Sequence, residues 1–128
     1  MPRNSWYDGG HGFNMLAIEQ VPMDSGVTRF VIKGRMHLGN ALSDAEYAAK
    51  GLLDSGVRKL LIDLTETETI DSAALGMLIV TCSRMSEAGG KTALFGVNPR
   101  VQNVFDITHA DKILSIHPTM DAALQALA

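Results

Sequence analysis

The apolar residues from Met15 onward fall into short clusters, and the spacing within each cluster predicts its element. Met15-Leu16-Ala17-Ile18 and Val27-Thr28-Arg29-Phe30-Val31-Ile32 are strand-like runs. The turn-forming Asp24-Ser25-Gly26 lies between them, so the pair predicts a β-hairpin. Leu42, Ala45, Ala49, Leu52 and Leu53 recur at helical spacing and predict a helix over 40–53. Asn40 or Ser43 can cap it, Ser43-Asp44-Ala45-Glu46 fits a capping box, and Gly56 suits the stop. Lys59 to Leu64 is almost continuously apolar, the pattern of a strand covered on both faces.

A second helix is predicted over 72–88, with Leu75, Leu78, Ile79, Cys82 and Met85 as its inner stripe. Met77 and Val80 point away from that stripe, as does Met36 near its turn. Gly89-Gly90 ends the helix, and Thr92 to Val97 forms the next strand. Asn98-Pro99 supplies an N-cap followed by proline at the first helical position, with Val101, Val104 and Phe105 facing inward. A last strand over 112–116 and a helix capped by Thr119, using Ala123, Leu124 and Leu127, complete the chain.

The predicted order is β-β-α-β-α-β-α-β-α. Strands alternating with helices require crossovers, so the fold class is α/β: about five strands in a mixed, mostly parallel sheet, and about four helices. The chain has 128 residues, enough for one domain with its own core. Residues 1–13 are polar and glycine-rich and read as a loosely held, flexible segment. Residues 14–128 read as the domain.

Charge narrows the function classes. Fourteen acidic residues against eleven basic ones give a net charge of −3, with the signs interspersed. No basic stripe is present, which argues against a nucleic-acid partner. No run approaches eighteen apolar residues and the first residues lack a signal-like apolar stretch, so membrane insertion is not expected and a cytoplasmic location is. Cys82 is the only cysteine, consistent with a reducing compartment.

The candidate chemistry lies at 71–76. Asp71 precedes the second helix and is a preferred N-cap residue. Ser72 then stands at the first helical position, where unpaired amides and the helix dipole favour negative charge. A phosphate there would gain from the dipole and be opposed by the Asp71 carboxylate. On spacing alone the corner reads first as an ordinary cap.

The order of motifs along the chain adds to this. Asp71-Ser72-Ala73-Ala74-Leu75-Gly76, after the strand ending at Leu64, resembles the Asp-Ser-Ser/Thr-Gly-Leu-Gly element of STAS domains, the anti-sigma factor antagonist family typified by SpoIIAA and RsbV. Gly89-Gly90-Lys91 matches the family's Gly-Gly before the next strand, and Asn98-Pro99-Arg100-Val101 through Phe105-Asp106 is similar to its Ser-Pro-x-Val-x-x-Leu-Phe-Asp segment. Lys112-Ile113-Leu114 and Asp121-Ala122-Ala123-Leu124 follow in family order.

The resemblance implies the SpoIIAA-like fold and a regulatory binding function. The protein would bind an anti-sigma factor that is itself a serine kinase, and phosphorylation of Ser72 would end the complex. The surface implied comprises Thr69, Asp71, Ser72 and Ala73, with His37 and Asn40 from the 35–41 loop. Three positions depart from the family pattern. Ala73 leaves Ser72 without a neighbouring hydroxyl, Ala74 replaces glycine, and His37 replaces an aspartate. Ala74 is expected to stiffen the corner, and its methyl to hinder a closely docked partner.

Other chemistry is poorly supported. Gly89-Gly90-Lys91-Thr92 runs from helix into strand, the reverse of a P-loop, and Met85 occupies the position of its first glycine. His11, His37, His109 and His117 lack paired ligand spacing, so no metal is expected. Ile70 and Ala74 stand where a nucleophile elbow needs glycines, and no base is nominated, so no catalytic residue is assigned. Glu66 and Glu68 read as a solvated loop, and no cofactor is implied. The alternative function keeps the fold without the switch: a STAS scaffold or ligand-binding module in a transporter or signalling complex. The oligomeric state stays open, a homodimer included.

Overall fold

The computed structural model describes residues 3–8 and 15–128, with side chains from Leu16 onward. Its strands are β1 (Arg3–Asp8), β2 (Met15–Pro22), β3 (Val27–Met36), β4 (Lys59–Asp63), β5 (Thr67–Ile70), β6 (Lys91–Phe95) and β7 (Ile116–His117). Its helices are α1 (Asn40–Asp54), α2 (Ser72–Glu87), α3 (Pro99–Thr108) and α4 (Met120–Leu127). The sheet runs β1-β2-β3-β4-β6-β7, with β5 pairing to the far end of β3. β1, β2 and β3 are antiparallel, and every later pairing is parallel.

The predicted hairpin forms, with a 3-10 turn at Asp24–Gly26 between β2 and β3. The two faces of the sheet then build two cores. Leu60 and Ile62 on β4 join the larger one with Phe30, Ile32, Leu94 and the inner faces of α1, α2 and α3. Leu61, one residue out of phase, faces the smaller one with Val27, Ala93, Phe95 and the Ala123 and Leu127 side chains of α4. Two covered faces explain why β4 reads as continuously apolar.

Among the described residues seven strands form, against the predicted five or so. β1 lies in the segment read as loosely held; residues 1, 2 and 9–14, including His11, fall outside the described residues. β5 reads as a loop because Thr67-Glu68-Thr69-Ile70 has too few apolar residues to declare a strand. It pairs with β3 beyond a register shift at Gly34/Arg35, and this carries β3 on to Met36. Met36 is therefore fully buried, not turned outward as predicted. The last strand is confined to Ile116–His117, because a 3-10 turn at Ala110–Lys112 and a turn and bend at Ile113 and Leu114 precede it.

Two helix details also differ. α1 starts at Asn40 with Gly39 as N-cap, so Ser43 sits inside the first turn, its amide on the Gly39 carbonyl, and the capping box does not form. Gly39 has φ +155, a conformation a side chain would strain. The buried stripe of α2 comprises Ala74, Leu75, Met77, Leu78 and Met85, rotated away from Ile79 and Cys82, which are half-buried. Met77 is therefore in the core, whereas Val80 faces out as expected.

One buried charge organises the carboxyl end of β4. Asp63 is 0% exposed and accepts from Arg29 Nε at 2.9 Å, Arg29 Nη2, the Thr65 amide at 2.9 Å and Thr65 Oγ1 at 2.6 Å. These donors hold the carboxylate in place of water. Asp63→Ala should lower the unfolding free energy by about 2–3 kcal/mol, below the range for a fully buried pair because Arg29 is partly open to water. Urea denaturation measures this, and a loss under about 1 kcal/mol would contradict the assigned role.

Candidate functional site

The site forms where the carboxyl ends of β3 and β5 meet the start of α2. Asp71 closes β5 by donating its amide to the Met36 carbonyl at 3.1 Å. Its side chain then serves two elements. Oδ1 accepts from the Ala74 amide at 2.9 Å and caps α2, as the sequence predicts. Oδ2 accepts from the Leu38 amide at 2.8 Å and fixes the loop between β3 and α1. Partial burial opposes ionisation of Asp71. The Ala74 and Leu38 amides, the nearby His37 and the Ala73 amide outweigh it, leaving the pKa below the ordinary carboxylate value.

The other residues gather around this carboxylate. His37 Nε2 lies 2.8 Å from Thr69 Oγ1, a second tie between the loop and β5. Ser72, the first residue of α2, is exposed, and its hydroxyl has no hydrogen-bond partner among the described residues. Ala73 is half-buried, and Asn40 is exposed at the start of α1. Ser72, Asp71, Thr69, His37 and the start of α1 thus share one end of the sheet.

Ala74 departs from expectation. It is 0% exposed and belongs to the larger core, so its methyl points inward and leaves a docked partner unhindered.

Several supporting contacts are not visible in the sequence, although the Asn98 cap itself is. Thr67 Oγ1 donates to the Ile32 carbonyl at 2.8 Å, seating β5 against β3. Asn98 caps α3 through Oδ1, accepting from the Val101 amide at 2.9 Å, while its Nδ2 donates to the Thr67 and Glu68 carbonyls at 3.0 and 2.9 Å. Gly96 makes that reach possible: it has φ +81, and a Cβ there would lie 2.3 Å from Thr65 Cγ2. Leu38 is 79% exposed beside the corner. A leucine set between a histidine and a glycine is its only signal in the sequence.

Glu66 and Glu68 pair with Lys33 and Arg35 at 3.7 and 3.6 Å. Among the described residues, no group of three or more His, Cys, Asp or Glu side chains could hold a metal ion, and no helix is long and apolar enough to cross a membrane. Burial pushes the Cys82 thiol up to about 11, with the Thr92 hydroxyl offsetting part of the effect, so little reactive thiolate forms near neutral pH.

Comparison with known proteins identifies the family. The STAS domain model matches residues 20–123. The chain belongs to the STAS domain family. A provisionally named anti-sigma factor antagonist of Thermotoga neapolitana, a TM1081 homolog, is 33% identical over 90 residues, covering 70% of this chain and 80% of its own. An anti-sigma factor antagonist from Mycobacterium paratuberculosis superposes with a TM-score of 0.73 at 20% identity, covering 99% of this chain and 94% of that one. The Bacillus cell fate determinant SpoIIAA, solved in its phosphorylated form, superposes with a TM-score of 0.66 at 13% identity, covering 87% and 99%. Likenesses at these low identities establish the SpoIIAA-like fold.

Two outcomes follow for this STAS domain. Asp71→Asn keeps an acceptor for the Ala74 amide but turns an NH2 donor towards the Leu38 amide, and should cost about 1 kcal/mol at neutral pH. The folded pKa is lowered, so the ionised carboxylate stabilises the fold above its unfolded pKa and loses that contribution as pH falls through the folded value. The gap between wild type and Asp71→Asn, followed by denaturation from pH 7 to pH 3, should therefore narrow towards acid; a pH-independent gap would contradict it. Cys82 should react slowly with iodoacetamide at pH 8 in the folded chain and rapidly in urea, and equal rates would contradict its burial.

Proposed function

We propose that this chain is an anti-sigma factor antagonist that binds an anti-sigma factor with serine-kinase activity and is switched by phosphorylation of Ser72. Its docking surface comprises Thr69, Asp71, Ser72, Ala73, His37 and Asn40. The protein acts in the cytoplasm, supplying the acceptor hydroxyl while the kinase supplies the chemistry.

The observation carrying this reading is that Ser72 is exposed at the first position of α2 while both oxygens of the adjacent Asp71 are engaged by backbone amides. The serine is free for a partner, and the aspartate is held in one geometry beside it. A phosphate would add up to two negative charges next to a carboxylate whose lowered pKa keeps it ionised. A partner fitted to the neutral hydroxyl then meets a hydrated dianion, which is costly to bury. The names of the relatives supply the kind of partner. The reading without a switch loses one support, since Ala74 turns its methyl into the core.

Incubation with the cognate anti-sigma kinase and ATP should label the wild-type chain and leave Ser72→Ala unlabelled. Ser72→Asp should weaken the complex about tenfold, or ~1.4 kcal/mol. Undiminished labelling of Ser72→Ala would remove the phosphoacceptor assignment, and unchanged affinity of Ser72→Asp would remove the switch.

A further inference from the structure

We infer that Gly76 is the seat on which the anti-sigma factor docks, and that the partner places an apolar side chain against its bare backbone. The inference rests on the partner reading above and extends the surface one turn down α2.

Gly76 is exposed in the fifth position of α2, where glycine is less favourable than alanine. Nothing among the described residues asks for it. Its φ is not among the positive ones, and a Cβ built there would meet no atom within 4 Å. Gly90 makes the contrast: a Cβ at that position would lie 2.6 Å from the Arg58 carbonyl oxygen. A glycine the fold does not need, on an exposed helix face, leaves room for another molecule to approach the backbone closely.

What surrounds Gly76 indicates the occupant. Ser72 and Val80 stand four residues to either side and share its face of the helix. Val80 is 40% exposed. Leu38, 79% exposed, is held at the head of α2 by its amide on Asp71 Oδ2. The bare turn therefore continues the Ser72 surface and has apolar groups towards both ends, which fits an apolar side chain. A phosphate on Ser72 would stand one turn away and bring a hydrated dianion to the rim of the seat. Seat and switch would then be parts of one surface.

Isothermal titration of the full chain with the purified cognate anti-sigma kinase, beside thermal melts, tests this. Gly76→Ala should raise the thermal midpoint yet weaken the complex at least tenfold, a divergence that a purely structural glycine would not produce. Leu38→Ser and Val80→Ser should each weaken binding about fivefold without lowering the midpoint by more than a degree or two. A Gly76→Ala variant binding within twofold of wild type would overturn the inference and leave the partner reading standing. A Gly76→Ala variant with a lowered midpoint would also overturn it, because the glycine would then serve the fold. A wild-type chain that forms no complex would overturn both.

Discussion

Everything at the candidate site depends on one carboxylate holding two pieces of backbone. Asp71 Oδ1 caps α2 while Oδ2 holds the Leu38 amide, so one side chain ties the helix bearing Ser72 to the loop bearing His37. A short polar loop packs too little apolar surface to hold its own conformation. Here the helix it faces supplies the constraint. Both amides favour the ionised carboxylate, and together with the nearby His37 they overcome the penalty of partial burial.

That arrangement stands on a second layer of polar ties. Asp63 fixes Thr65 at the end of β4, Thr65 packs over Gly96, and two residues on from Gly96 the Asn98 amide holds the Thr67 and Glu68 carbonyls. Each tie satisfies a group that the connection between β4 and α2 would otherwise leave unpaired. The result is a rigid β5 that delivers Thr69, Asp71 and Ser72 to the surface in fixed order. Rigidity matters for recognition, since a preformed surface loses little entropy on binding.

The sequence discloses the elements that bury apolar stripes. The β2–β3 hairpin, α1, β4, α2, β6, α3 and α4 announce themselves through periodicity, and Asp71, Asn98 and Thr119 do cap their helices. It is silent where hydrogen bonds between distant segments decide the structure. β5 has a strand's geometry because β3 offers a partner edge and Ile32 a carbonyl, neither visible from Thr67-Glu68-Thr69-Ile70 itself. Local spacing turns Met36 and Met77 outward, yet both are buried, because β3 extends further and α2 is rotated more than that spacing conveys. The Ser72 corner was legible as a motif. Its tie to Leu38 spans thirty-three residues and needed the folded chain.

The central claim, that the partner meets the chain at the Ser72 end of the sheet, is tested most directly by backbone amide chemical shifts recorded as purified anti-sigma kinase is added to labelled protein. The account predicts that the perturbed amides cluster at residues 37–40 and 69–80, while those of α4 and β7 stay in place. Perturbations concentrated on α4 and β7, with the Ser72 corner unchanged, would contradict it.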